Sequence, residues 1–155
     1  MIGEWSCVLI LGNLEAVALT AVNCFFTMEK KIAVIEDDSG ALELISTLIG
    51  NLGFDIFPVR GPEALVKIQS IVPDLVLVDN PLTDAFVDRL SSNLKTCRET
   101  IQIPVLLISA SPGLRNKTET QHVDDFLVKP FALSELTGKI HYWINHPSCI
   151  SPDEK

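Results

Sequence analysis

From Lys31 onward, short β-branched apolar runs alternate with segments whose apolar residues recur at helical spacing. That alternation is the strongest constraint on the fold. The first run is Lys31–Ile35. Leu42, Ile45, Leu48, Ile49 and Leu52 then follow a helical period, with Ser39 as the expected N-cap and Gly53 as the stop. Phe54–Val59 reads as a second strand, and Pro58 suits an edge position. Gly61-Pro62-Glu63 opens the next helix, whose apolar face is Leu65, Ile68 and Val72. Asp74–Asp79 and Pro104–Ser109 are continuous apolar runs, the pattern of strands buried on both faces. Phe86, Val87, Leu90, Leu94 and Cys97 form the helical stripe between them. Residues 112–122 are polar and weakly helical. Asp125–Val128 is a short strand, and Leu133, Leu136, Ile140, Trp143 and Ile144 mark a last helix, stopped at His146-Pro147.

Five βα units in a row imply an α/β fold with a parallel sheet and helices on both faces. Right-handed crossovers leave few topologies. The leading one is a flavodoxin-like (βα)5 doubly wound sheet with strand order 2-1-3-4-5.

The polar residues fall at one edge of that sheet. Glu36, Asp37 and Asp38 follow the first strand, Asp79 closes the third, Ser109 the fourth, and Lys129 follows the fifth. Ligands of open parallel sheets bind at the strand C-termini, where the strand order reverses. Strands 1 and 3 flank that reversal, so Glu36, Asp37 and Asp79 should converge although they lie far apart in sequence. Clustered carboxylates repel one another, and a hard divalent cation relieves this. Mg²⁺ fits, because it takes oxygen ligands and typically uses one or two carboxylates plus phosphate. With a lysine and a hydroxyl beside them, these groups suit phosphoryl transfer, with Asp79 as the candidate nucleophile. Taken singly, each residue has a plainer reading as a helix cap, a turn residue or a solvated charge.

Charge excludes one class of partner. The chain carries 12 Lys and Arg against 20 Asp and Glu, a net charge of −8. A protein that grips nucleic-acid phosphates needs a basic surface, so direct nucleic-acid binding is not expected. Cys7, Cys24, Cys97 and Cys149 form no CxxC pair, and a reducing cytosolic location fits them. Residues 1–27 contain Glu4 and Glu15 but no Lys or Arg. The apolar stretch 7–26 within them reads as a start-site extension, a membrane anchor, a signal peptide or a packed helix. An anchor would leave the domain cytoplasmic, with Lys30 and Lys31 as its positive flank. However, Asn13, Glu15 and Asn23 interrupt the stretch.

From Met28 to about Asn145 the chain resembles the receiver domain of two-component response regulators, of the stand-alone kind seen in chemotaxis and sporulation relays. The motifs are IAVIEDD at 32–38, DLVLVD at 74–79, PVLLISA at 104–110 and DDFLVKPF at 124–131. The resemblance implies three regions: an N-terminal extension 1–27, a receiver domain 28–146 and a tail 147–155. It implies that Glu36 and Asp37 hold Mg²⁺, with the backbone carbonyl of Pro81, and that Asp79 is the phosphoacceptor and a metal ligand. Ser109 is similar to the switch hydroxyl, Lys129 to the lysine that contacts the phosphoryl group, and Phe126 to the switch aromatic residue. The phosphoryl group would come from a histidine kinase or a histidine phosphotransfer protein. Apart from its own phosphorylation and dephosphorylation, the domain would not be an enzyme. Phosphorylation would shift an equilibrium between two conformations of the face made by residues 112–122, the fifth strand and the last helix. An output protein would read that face.

The loop after Asp79 departs from the family pattern. It reads Asn80-Pro81-Leu82-Thr83-Asp84-Ala85-Phe86, two residues shorter than usual and without glycine. His122-Val123 stands where the family has Gly-Ala. Two other functions follow from the same residues. A degenerate receiver would act as a phosphorylation-independent interaction module. A phosphatase of the haloacid dehalogenase type would use Asp79 with Thr83, but it needs a second Asp where Pro81 stands.

Overall fold

A computed structural model describes residues 30–80, 84–110 and 122–148 of the chain. Five parallel strands form one sheet in the order β2-β1-β3-β4-β5, the order expected. They are β1 Lys31–Ile35, β2 Asp55–Val59, β3 Leu75–Asn80, β4 Val105–Ser109 and β5 Asp125–Val128. The helices are α1 Ser39–Gly50, α2 Ala64–Ile71, α3 Asp84–Thr96 and α4 Leu133–Asn145. The weakly helical segment expected at 112–122 lies outside the described residues except for His122, which takes a positive φ of 52°.

The continuous apolar runs have a simple cause. Successive strand side chains point to opposite faces, and helices cover both faces here. One core layer takes Ala33, Ile35, Val76, Val78, Val105 and Leu107 against Ile68 of α2 and Val87, Leu90 and Leu94 of α3. The other takes Ile32, Val34, Leu75, Leu77, Leu106 and Ile108 against Leu42, Ile45 and Ile49 of α1 and Leu136 and Ile140 of α4. The alternate residues of each central strand thus serve different layers, and polar residues enter β1, β3 and β4 only at their ends. β2 is an edge strand, and it tolerates Pro58 there.

Several local expectations shift. Asp38, not Ser39, caps α1: its Oδ1 accepts the Ala41 N–H at 2.8 Å. A carboxylate one residue earlier reaches the same orphan amides, and Ser39 becomes the first helical residue. Gly61–Glu63 forms a 3₁₀ turn, and α2 begins only at Ala64. Val72 does not extend the apolar face of α2. It ends the helix in the left-handed region (φ 47°, ψ 69°), half-exposed, with its N–H bonded to the Ile68 carbonyl at 2.8 Å. Leu52 lies past the end of α1 and Cys97 past the end of α3. Leu133 opens α4 but faces solvent.

A polar cluster closes the opposite, N-terminal edge of the sheet. Lys95, at the end of α3, is buried with its ammonium group 2.7 Å from Asp124 Oδ2. It also donates to Ser148 Oγ at 2.8 Å and to the Ile103 carbonyl at 3.0 Å. Asp124 in turn accepts the Val105 N–H at 2.7 Å and the Ser148 hydroxyl at 2.6 Å. The Ser148 N–H donates to the Gln102 carbonyl at 3.0 Å. Burial lowers the Lys95 pKa from its ordinary 10.5, and the Asp124 carboxylate opposes that shift.

Candidate phosphoryl-transfer site

The strand register brings the expected residues to one edge. Ile35 lies beside Val78, so Glu36 comes off β1 level with Asp79 on β3. Asp79 lies beside Ile108, and Ser109 beside Val128, so Ser109 and Lys129 follow in line. The Lys129 N–H donates to the Ser109 carbonyl at 2.9 Å, carrying the pairing of β4 and β5 past the last strand residue.

Asp79 is wholly buried. Its partner is Lys129, whose ammonium group lies 2.6 Å from each carboxylate oxygen. Only the contact to Oδ2 has hydrogen-bond geometry. Oδ1 remains a buried oxygen with no hydrogen bond. Such a group has a desolvation cost that a cation or an incoming electrophile would relieve.

Glu36 is also buried. Its Oε1 accepts the Asp38 N–H at 2.8 Å. Burial pushes its carboxyl pKa above the usual 4.5, and the negative charge of Asp79 adds to the shift. The Asp38 N–H works against both, but does not cancel them. Two buried carboxylates with a single lysine thus face each other at the β1–β3 junction. This is the environment that a hard divalent cation neutralises.

Asp37 is exposed, and its Oδ1 accepts the Gly61 N–H at 3.3 Å. Gly61 itself takes a positive φ of 64°, a conformation that costs glycine little. Asp37 therefore borders the acidic pair, tied to the start of the α2 segment. Among the described residues, no group of three or more His, Cys, Asp or Glu is close enough to hold a metal. The donor set still suits Mg²⁺, which needs few carboxylates and keeps several waters. Pro81, expected to supply a carbonyl, lies outside the described residues. Ser109 is buried at the end of β4.

Phe126 is half-buried on β5 and packs against the α2–α3 core layer. The sequence pattern does not show what surrounds it. Asp125 accepts the Phe126 N–H at 2.8 Å, both oxygens of Asp125 face the Lys139 ammonium, and Trp143 Nε1 donates to Oδ2 at 2.9 Å. The spacing of Lys139 and Trp143, one helical turn apart on α4, was the available signal.

A family model for the response regulator receiver domain matches residues 32–141. The phosphate regulon transcriptional regulatory protein PhoB of Rhizobium meliloti (strain 1021) is 30% identical over 116 residues, 73% of this chain and 51% of that protein. The cell cycle transcriptional regulator CtrA of Caulobacter vibrioides is 28% identical over 114 residues, 72% of this chain and 48% of that protein. The chain therefore spans about half the length of these curated relatives. Among solved structures, the receiver domain of the sensor histidine kinase PA1611 from Pseudomonas aeruginosa superposes with a TM-score of 0.66 at 22% identity, covering 76% of this chain and 98% of that one. That structure has a magnesium ion coordinated in its active-site cleft. The chemotaxis protein CheY4 of Vibrio cholerae gives a TM-score of 0.62 at 20% identity, covering 74% of this chain and 98% of that one. Among the described residues, no helix is long and apolar enough to cross a membrane.

Proposed function

Because this chain belongs to the response regulator receiver family, we propose that it accepts a phosphoryl group on Asp79 and signals by changing what it binds. The observation that carries this reading is the state of Asp79. It is wholly buried at a strand end, with the Lys129 ammonium group beside both carboxylate oxygens but hydrogen-bonded to only one of them. A turn or cap carboxylate would be solvated or bonded to backbone amides, and this one is neither.

The residues divide the work. Asp79 is the nucleophile: its carboxylate oxygen attacks the phosphorus of the donor phosphohistidine as the P–N bond breaks, and the donor's imidazole leaves with that electron pair. Lys129 already stands at that carboxylate and can follow the charge onto the phosphoryl oxygens. Ser109 supplies a hydroxyl at the neighbouring strand end. Glu36 and Asp37, with Asp79 and the Pro81 carbonyl, would hold Mg²⁺. Bound there, the cation would neutralise charge that develops on the transferred group. Phe126 is the aromatic side chain that changes place when the site is phosphorylated.

The donor is a histidine kinase or a histidine phosphotransfer protein, and the domain spans 28–146. The receiver stands alone, and that organisation has its own test. Relatives such as PhoB are about twice the matched length. A native protein of about twice the receiver's mass on an immunoblot from its source cells would refute that organisation, and a mass near the receiver's own would support it. A cytoplasmic location goes with that organisation.

The chemical test is direct. The full chain is incubated with Mg²⁺ and a small phosphodonor, and its intact mass is measured. Wild type should gain one phosphoryl group, and D79N should gain none. No gain on wild type, or equal gain on D79N, refutes phosphoacceptance and leaves the interaction-module reading.

A further inference from the structure

We propose that Lys139, held in place by Asp125 and Trp143, biases Phe126 toward its resting placement and so sets how readily the site takes a phosphoryl group. The inference rests on the function proposed for Asp79 and Phe126 above.

Asp125 opens β5 and collects its donors from two elements. The Phe126 N–H reaches Oδ1 at 2.8 Å. Lys139 Nζ lies 2.8 Å from Oδ1 and 2.7 Å from Oδ2. Trp143 Nε1 reaches Oδ2 at 2.9 Å. A surface lysine normally keeps its charged end free in water. This one is mostly shielded, with 28% side-chain exposure, and is fixed by a carboxylate that is itself fixed by an indole.

Held there, the ammonium group lies 6.0 Å from the centroid of the Phe126 ring. That is the reach of a cation–π contact. The ring thus has the α2–α3 core layer as one neighbour and a cation as another. The backbone N–H of the same residue is bonded to the carboxylate that holds the cation. One carboxylate therefore sets both the backbone of Phe126 and the charge over its ring. A ring that moves away gives up the cation, while Lys139 stays with Asp125. Lys139 is a positioning residue: it touches neither Asp79 nor the transferred group, and acts through Phe126.

Coupling between two sites is reciprocal. If the cation favours the resting placement, removing it must tighten binding of a phosphoryl mimic. The test titrates beryllofluoride, in the presence of Mg²⁺, into the full-length chain and follows the bound form by fluorine NMR. K139M should raise the affinity about two- to fivefold, the range carried by a partly exposed cation–ring contact. K139R should restore wild-type affinity, since a guanidinium also pairs with a carboxylate and stacks on a ring. In an F126L background, K139M should change nothing.

Unchanged or weaker binding by K139M overturns the proposal. So does the same gain in the F126L background, which would mean that Lys139 does not act through the ring. A lower melting temperature with unaltered affinity assigns Lys139 a merely structural role and also overturns it. The failure of the underlying reading looks different: wild type itself would take no beryllofluoride.

Discussion

Removing the Lys95 ammonium group should be among the most damaging single changes outside the apolar core. K95M keeps most of the aliphatic stem and its packing. It deletes the cation that faces Asp124, whose side chain is only 11% exposed. Asp124 would keep the Val105 N–H and the Ser148 hydroxyl, so its carboxylate would not be bare. The Ile103 carbonyl, however, would lose its 3.0 Å donor, and the Ser148 hydroxyl would lose one of its two partners. Breaking a buried pair from one side costs about 3–5 kcal/mol. The retained donors on Asp124 put K95M near about 3 kcal/mol. For a domain of this size that is a fall in Tm of roughly 10 °C. The assay is urea unfolding at neutral pH, with D124N and the double variant K95M/D124N alongside. The double variant should be more stable than the sum of the single losses predicts, because no charge is left unpaired. Burial holds the Lys95 pKa below 10.5, so the unfolded chain binds more protons in the alkaline window just below that value. Stability from this group therefore rises with pH there, and K95M should flatten that slope. A K95M protein within about 1 kcal/mol of wild type, or strict additivity with D124N, would refute the argument.

Three further outcomes follow from the same structure. Glu36 has a raised pKa, so the folded chain holds its proton more tightly and its contribution to stability falls as pH climbs above 4.5. If Mg²⁺ binds there, it should raise Tm more at neutral pH than near 4.5, and equal increments at both would count against Glu36 as a ligand. V72G should stabilise the domain by about 1 kcal/mol, because a β-branched residue in the left-handed region is strained and this one buries little; thermal melting that shows a loss would contradict the strain. L77A, at a fully buried centre of β3, should cost about 2–5 kcal/mol, read as a lower urea midpoint at unchanged m.

The sheet was legible because a strand buried on both faces has nowhere to place a polar residue. DLVLVD and PVLLIS can hardly be read otherwise, and each ends where the chain meets water. The acid at 79 and the lysine at 129 were legible for the same reason: they interrupt apolar runs at the strand ends. Helix ends were harder. Asp38 and Ser39 are both good caps, and only the backbone turn decides between them. Val72 continues the helical period of α2, yet the chain must turn toward β3, and the helix stops there. Lys95 could not be foreseen. It sits in a polar stretch of α3, and its partners lie 29 and 53 residues further along the chain. Periodicity measures only what neighbours on one element share, and the side chains of this cluster come from three separate segments.

The spacing of the Lys95 cluster also orders events during synthesis. Lys95 leaves the ribosome before Asp124, and Asp124 before Ser148. Until Asp124 emerges, the ammonium group has no carboxylate, and water is its best partner. The end of α3 can therefore take its final packing only once β5 begins to form. The last link waits for Ser148, whose N–H and hydroxyl bind the 101–103 turn and the cluster together. Translation thus leaves this corner to close last. On stalled chains, Lys95 should react with an amine-directed reagent while Asp124 is still in the exit tunnel, and be protected after Ser148 has cleared it.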